Sequence, residues 1–338
     1  MSVLAKQITR AKDKSQPLFS TLEITQNCNL RCKHCYNFDR SSNENPISKP
    51  FLNLNEINEV LASLNNLGAL SLNITGGEPL THPDLDKIIS EAKSYNFHIR
   101  LKTNGILLNS SKAKRLFSLG VREVDISLYG ASETTYIDFC KKEGFQKTIE
   151  AIKVAKDANL KVNVSIILHK LNFRDLGAMI HIIEDLGVFF QVSDEITDRY
   201  DNTNASNELG LSQSDYLELL KGPFHYFFDH ENKERSLQCG CAKTVLGIGA
   251  FGDVFPCIGA PVVSGNIRDN GLEFIWENSP ILKNIRELKS DDFKECSTCP
   301  LIEVCSRSSG SAFVNTGEYT GCDPVAKTFA KARFEKNK

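Results

Sequence analysis

Cys28, Cys32 and Cys35 stand in a C-x3-C-x2-C spacing directly after the strand-like run Leu18 to Thr25. Three thiolates on one tight loop can hold three irons of a [4Fe–4S] cube, and no fourth cysteine follows nearby. That leaves one iron open to a substrate or cofactor, whereas a fully ligated cluster can only pass electrons. The alternative is a structural zinc site, which needs four ligands, with His34 as the fourth on paper.

The rest of the chain decides how that loop is read. The sequence has 338 residues, enough for two to three domains or for one α/β barrel with an extension. A formal charge of -2 and a pI near 6.4 supply no basic field for a phosphate backbone, so nucleic acid is not an expected partner. No apolar run reaches the roughly 18 to 20 residues of a membrane helix, and Met1 to Lys14 lacks the apolar stretch of a signal peptide. The expected location is the cytoplasm, with no membrane partner. Eleven cysteines in a reducing compartment argue for metal binding over disulfides. Their clustering strengthens the point: three lie between residues 28 and 35, one stands alone at Cys140, and seven follow residue 238.

From Leu18 to Asp194, short apolar or β-branched runs alternate with amphipathic segments of helical period. The strand-like runs are Leu18–Thr25, Ala69–Thr75, His98–Thr103, Glu123–Leu128, Lys161–Leu168 and Val188–Ser193. Helical patterns cover Asn55–Leu67, Asp84–Ser94, Ser111–Leu119, Phe145–Ala158 and Arg174–Leu186, with another near Gln213–Phe228. Such βα repetition predicts an α/β fold with a parallel sheet, either doubly wound or a partly open barrel. Asn37 to Lys49 reads as a polar loop, and Thr197 to Gly210 as a solvated linker or lid. The domain expectation is an N-terminal segment over 1–17, a barrel over 18–230 and a cysteine-rich extension over 231–338.

One βα unit after the cysteines comes Thr75-Gly76-Gly77-Glu78-Pro79, whose glycines permit close backbone approach. Together, C-x3-C-x2-C with an aromatic ring before the last cysteine and this GGEP turn resemble the radical S-adenosylmethionine (SAM) family. The resemblance implies a partial (β/α)6 TIM-like barrel with its chemistry at the carboxyl ends of the strands. It implies a [4Fe–4S] cluster on Cys28, Cys32 and Cys35 as the catalytic centre. By the same resemblance SAM would chelate the open iron and be cleaved to a 5′-deoxyadenosyl radical. Gly76, Gly77, Glu78 and Pro79 would bind the SAM amino group, His34 would wall the adenine, and Ser127 would reach the ribose. Asn104, in a turn at the end of the third strand, lies at the same rim. Cys140-Lys141-Lys142-Glu143-Gly144-Phe145 occupies the place where relatives carry an arginine for the SAM carboxylate. Lys142 offers the charge without the bidentate fork. Cys140 is most simply a buried apolar thiol, with hydrogen-atom donation the alternative.

Near the C-terminus the order is Cys239-x-Cys241, Cys257 after a hairpin turn at Gly252-Asp253, Cys296-x2-Cys299-x5-Cys305, and Cys322. This closely resembles the SPASM extension, which carries auxiliary [4Fe–4S] clusters; one or two zinc ribbons are the alternative. Mapped on the family, Cys239, Cys241 and Cys257 would hold a first auxiliary cluster with one position vacant. Cys296, Cys299, Cys305 and Cys322 would hold a second completely. The family's missing cysteine is Ser309 here. The vacant iron could take Ser309, another oxygen or nitrogen ligand, or a substrate group, or only one auxiliary cluster could form.

The resemblance implies hydrogen abstraction from an unactivated carbon, and most relatives modify peptides. The first reading is therefore an oxidoreductase that forms a crosslink or thioether, or epimerises a residue, in ribosomal peptide maturation. Ile258, where sulfatase-maturing relatives have aspartate, disfavours that branch. A second reading is a small-molecule dehydrogenase, decarboxylase or epimerase of sugar, nucleoside or tetrapyrrole biosynthesis, with Asp194, Glu195 and Asp198 lining its cavity. A third, of another class, is an iron–sulfur electron carrier. Expected partners are the substrate and an electron donor such as flavodoxin or ferredoxin. Because the first strand begins at Leu18, leaving no room for a leader-recognition domain, a separate leader-peptide recognition protein is a further candidate.

Overall fold

The computed structural model describes residues 3–38, 49–194, 196, 199–200, 204–229, 237 and 239–337. Six strands run parallel: β1 (Phe19–Glu23), β2 (Ser71–Thr75), β3 (His98–Thr103), β4 (Val121–Leu128), β5 (Lys161–Ile167) and β6 (Phe189–Ser193). Each pairs with the next in sequence, and the sheet remains open, which makes it the expected partial (β/α)6 barrel. Two more strands extend it beyond β1. β7 (Val245–Ile248) pairs parallel with β1, and β8 (Val254–Phe255) pairs antiparallel with β7. The hairpin that carries Cys257 is thus continuous with the barrel's own sheet.

The helices are α1 (Val3–Asp13), α2 (Leu54–Asn66), α3 (Leu85–Ser94), α4 (Ser110–Leu119), α5 (Glu133–Cys140), α6 (Phe145–Asp157), α7 (Leu176–Leu186) and α8 (Gln213–Lys221). Their starts follow local chemistry: Asn53 and Glu56 close a capping box on α2, and Ser212 and Asp215 close one on α8. The reading of residues 213–228 as one helix is too long. α8 stops at Lys221, and Gly222 and Pro223 separate it from a short turn at His225–Phe227. A C-terminal helix, Pro324–Lys336, returns to α8. There Arg333 is buried, donating to the Tyr216 hydroxyl at 2.6 Å and the Phe228 carbonyl at 2.7 Å. Among the described residues no helix is long and apolar enough to cross a membrane.

Period two along the strands separates the two faces of the sheet. Leu22, Leu72, Ile74, Ile99, Leu101, Val124, Ile126, Val162 and Val164 are all buried in the apolar core. The alternate positions are polar and hydrogen-bond across the barrel interior. Asn73 donates to Thr21 at 3.2 Å, while Asp125 accepts from Ser165 at 2.6 Å and Asn163 at 3.2 Å, with Lys102 at 3.6 Å. One layer lower, Glu123 accepts from Lys161 at 2.7 Å and from Arg100, with His98 at 3.4 Å. Burial pushes the Glu123 carboxyl up, but these cations bring it to about 2. A packed TIM barrel would fill this space with branched apolar side chains. Here the interior is lined by polar side chains that pair with one another.

Candidate active site at the strand ends

β1 leads through Thr25, Gln26 and Asn27 into Cys28, so the cysteine loop sits at the carboxyl end of the sheet. Two braces hold it. From one side, the last carbonyls of α5, which a helix leaves unsatisfied, accept loop amides: Arg31 donates to Cys140 and Lys33 to Phe139, both at 3.0 Å. From the other side comes the glycine turn. Gly77 donates its amide to Thr25 and Glu78 donates its amide to Asn27, both at 2.8 Å.

Cys28, Cys32 and Cys35 line one cavity of about 420 Å³. Gly76, Gly77, Asn104, Ser127 and His34 line it as well, so five of the eight residues expected at SAM meet the three thiols there. Asn104 ties the two parts together: its amide nitrogen donates to Asn29 at 2.9 Å and lies 4.0 Å from the Cys28 sulfur. The His34 ring stacks on Phe139 at 4.8 Å and meets Tyr129 edge-on at 5.2 Å. Burial, helped by the Arg199 charge, lowers its pKa to about 4, so the ring is neutral. Its Nδ1 is buried with no hydrogen-bond partner, a group that a bound molecule would have to satisfy.

The remaining SAM candidates lie elsewhere. Glu78 is fully buried below the rim, accepting from the Thr103 hydroxyl at 2.7 Å and the amides of Asn104 and Leu80 at 2.8 and 3.0 Å. Pro79 is buried in the first position of a short 3-10 turn. Lys142 is exposed on the turn after α5 and does not line the cavity. Cys140 is completely buried in the core, and its contribution to the site is its main-chain carbonyl. Asp194 accepts from the Tyr216 hydroxyl at 2.8 Å and does not line the cavity either; Glu195 and Asp198 lie outside the described residues, as does most of Asn37–Lys49.

The cavity also has walls that motif reading passed over, Lys102, Tyr200, Ser193 and, from the cysteine-rich extension, Gly259 and Ser308; Tyr129 and Ile258, each beside a motif, line it too. Lys102 had a readable signal. Polar residues at alternate positions of parallel strands, where apolar runs are the rule, mark an inward hydrophilic face.

Cys296, Cys299, Cys305 and Cys322 line a second cavity, with Arg307, Asp323 and Lys327. Cys239 and Cys241 line a third with Ser309 and Tyr319, and the Cys241 thiol is hydrogen-bonded to both Cys239 and Cys257. Among the described residues, no three His, Cys, Asp or Glu side chains meet closely enough to hold a single metal ion. Nine of the eleven thiols instead line these three cavities, and Cys140 and Cys257 line none of them.

Residues 22–183 match the radical SAM superfamily, and residues 239–300 match an iron–sulfur cluster-binding domain, the SPASM domain. The chain is a radical SAM enzyme with a SPASM extension. Its cofactors are SAM and iron–sulfur clusters. It is 27% identical to an AdoMet-dependent heme synthase of Methanosarcina barkeri, over 91% of this chain and 95% of that one. It is 26% identical to the PqqA peptide cyclase of Bradyrhizobium diazoefficiens, over 96% and 89%. Streptococcus suis SuiB bound to its precursor peptide SuiA shares the fold with a TM-score of 0.71 at 17% identity, covering 96% of this chain and 80% of that one.

His169 links the site to acid stability. Its ring is fully buried, parallel to Phe139 at 3.7 Å; Leu171 donates its amide to Nδ1, so Nε2 carries the proton towards the Tyr129 carbonyl at 3.2 Å. Burial, then the neighbouring His34, lowers its pKa from 6.5 to about 3. The unfolded chain therefore binds the proton first as pH falls below 6.5, and this group's stabilisation is lost progressively from there towards 3. The slope is about 1.4 kcal/mol per pH unit. Urea unfolding at several pH values should show it, and His169→Gln should remove that component while lowering stability at pH 7. An unchanged slope in the variant would show that the ring is not the titrating group.

Proposed function

We propose that this enzyme uses a SAM-derived radical to abstract hydrogen from a peptide, in the maturation of a ribosomally made precursor. The observation that carries the reading is one cavity. The three loop thiols, the glycine turn and Ile258, Gly259 and Ser308 of the extension all face the same space, so a substrate bound there lies between the SAM site and the auxiliary domain. Kinship to a peptide cyclase over nearly the whole chain supports the peptide.

The residues fit the cofactors. Cys28, Cys32 and Cys35 would hold the cluster, whose fourth iron is free for SAM, and the bound pair supplies a carbon-centred radical that removes hydrogen from an unactivated carbon. The Gly77 and Glu78 amides are spent on Thr25 and Asn27, and the carbonyls of the glycine turn would suit the amino group of SAM. The unpartnered Nδ1 of His34 would be satisfied from the adenine side. Asn104 and Ser127 would hold the rest, while Tyr129 and Leu30 would keep water from the reacting carbon. Free thiols throughout suit a reducing cytoplasm, and a flavodoxin or ferredoxin would supply the electron. A separate leader-binding protein would present the peptide.

A second reading has its own support: the relationship to a heme synthase and the cation Lys102 in the cavity favour a small tetrapyrrole or similar acid. One experiment separates these. Reduced, reconstituted enzyme should cleave SAM to 5′-deoxyadenosine, and Cys35→Ala should abolish it; no cleavage by the wild type would leave the electron-carrier reading. Precursor peptides encoded beside the gene should then come out lighter by two hydrogens when crosslinked. Turnover of a porphyrin acid, with none of any peptide, would overturn the peptide reading.

A further inference from the structure

We propose that Ser309 closes the first auxiliary site as an oxygen ligand, with Arg307 as its positioning residue and Tyr319 as a hydrogen-bond donor to the cysteine sulfur. This rests on the reading that Cys239, Cys241 and Cys257 hold a cluster.

Three thiols would leave one corner unfilled; the cavity lined by Cys239 and Cys241 holds three further polar side chains, those of Ser309, Tyr319 and Lys243. The Tyr319 hydroxyl lies 3.8 Å from the Cys239 sulfur, at hydrogen-bonding distance for sulfur, and it also bonds Cys241. Once these cysteines are thiolates they can only accept, so the Tyr319 hydroxyl would donate to them; a lysine ammonium, as at Lys243, has no lone pair to offer, which leaves the corner to Ser309. Ser309 is 2% exposed, and its Oγ accepts from Nη1 of Arg307 at 2.8 Å. The guanidinium is itself immobilised: Nε donates to the Gly321 carbonyl at 2.9 Å, Nη2 to the Tyr319 carbonyl, and the plane lies over Phe293 at 4.8 Å. On binding iron the serine hydroxyl gives its proton to solvent, and a charge-assisted hydrogen bond from a fixed cation is what stabilises the resulting anionic oxygen.

The backbone places Ser309 where such a ligand is needed. A Cβ on the next residue, Gly310, would lie 2.1 Å from the carbonyl oxygen of Gly259, so only glycine lets the helix Ser309–Thr316 approach the turn that follows Cys257. Arg307 also lines the Cys296, Cys299, Cys305 and Cys322 cavity, and its amide donates to the Cys305 sulfur. A single arginine therefore touches both auxiliary sites.

The test uses the full chain with Cys28, Cys32 and Cys35 all replaced by alanine, so that the open iron of the SAM site is gone. After anaerobic reconstitution and reduction, isotopically labelled imidazole is added and nitrogen coupling to the cluster is read by pulsed EPR. With Ser309 present no coupling is expected; Ser309→Ala should open the corner and show it, and Ser309→Cys should close it again. Tyr319→Phe should leave the corner closed. Coupling with Ser309 intact, or coupling in Tyr319→Phe and none in Ser309→Ala, would overturn the assignment. Cys239→Ala/Cys241→Ala should lower iron by about four per chain. Unchanged iron would mean that the site holds no cluster, and the underlying reading would fail with the ligand assignment.

Discussion

Replacing Gly77 by alanine is expected to leave a folded protein that makes 5′-deoxyadenosine about a hundredfold more slowly. The new Cβ would fall 2.4 Å from the Asn27 carbonyl oxygen and 2.5 Å from that of Gln26, both main-chain atoms that cannot swing aside. These residues run directly into Cys28. Relief therefore moves either the cysteine loop or the end of β2, each of which carries part of the cavity wall. A displacement near 1 Å at reacting groups costs on the order of a hundredfold in rate. Gly76 is tighter still, with φ +138° and a Cβ position 2.1 Å from the Thr25 oxygen, so Gly76→Ala adds backbone strain to the clash. The measurement is iron per chain together with 5′-deoxyadenosine rate and circular dichroism. A wild-type rate in Gly77→Ala would show that the turn does not set the loop's position.

That result would also show how the motif is to be understood. From the sequence, the two glycines read as bare backbone offered to a ligand. In the fold they are first a close contact between the β1 and β2 loops, and only what remains faces the cavity. The six parallel strands were legible because each is a short run with apolar residues at alternate positions, set between segments of helical period. α5 was not, because Glu133–Cys140 is built from Thr, Tyr, Ile and Phe, weak helix formers held in place by Ser132 at the cap and by burial of Tyr136 and Phe139. Missing that helix hid the support beneath the cysteine loop, and it made Cys140 look isolated. The pairing of β7 with β1 joins residues more than two hundred positions apart, and no local pattern carries that register. Lys142 and Lys102 mark the two sides of that limit. Tertiary placement alone sends Lys142 to solvent, whereas the polar alternation along β3 already pointed Lys102 into the barrel.

Glu78→Ala should be the most destabilising single change at the rim, by roughly 3 to 6 kcal/mol. Alanine leaves the Leu80 and Asn104 amides and the Thr103 hydroxyl without an acceptor where no water reaches, and each such orphan costs about 1 to 3 kcal/mol. That is a large part of a typical domain's 5 to 15 kcal/mol. Glu78→Gln keeps the shape and one acceptor oxygen but turns an NH2 group towards a donor, so about half the loss is expected. The pH dependence separates burial from bonding. Burial raises the Glu78 pKa above 4.5, although the three hydrogen bonds pull it back. The fold then holds this proton more tightly than the unfolded chain does. Its contribution is complete below pH 4.5 and is lost as pH rises through the folded-state value. Thermal unfolding of wild type and Glu78→Gln across pH 4 to 8 should therefore converge at the alkaline end. A gap that widened as pH rose would mean the hydrogen bonds outweigh burial and lower the folded-state pKa, and the rim would be held by a carboxylate that prefers its charge.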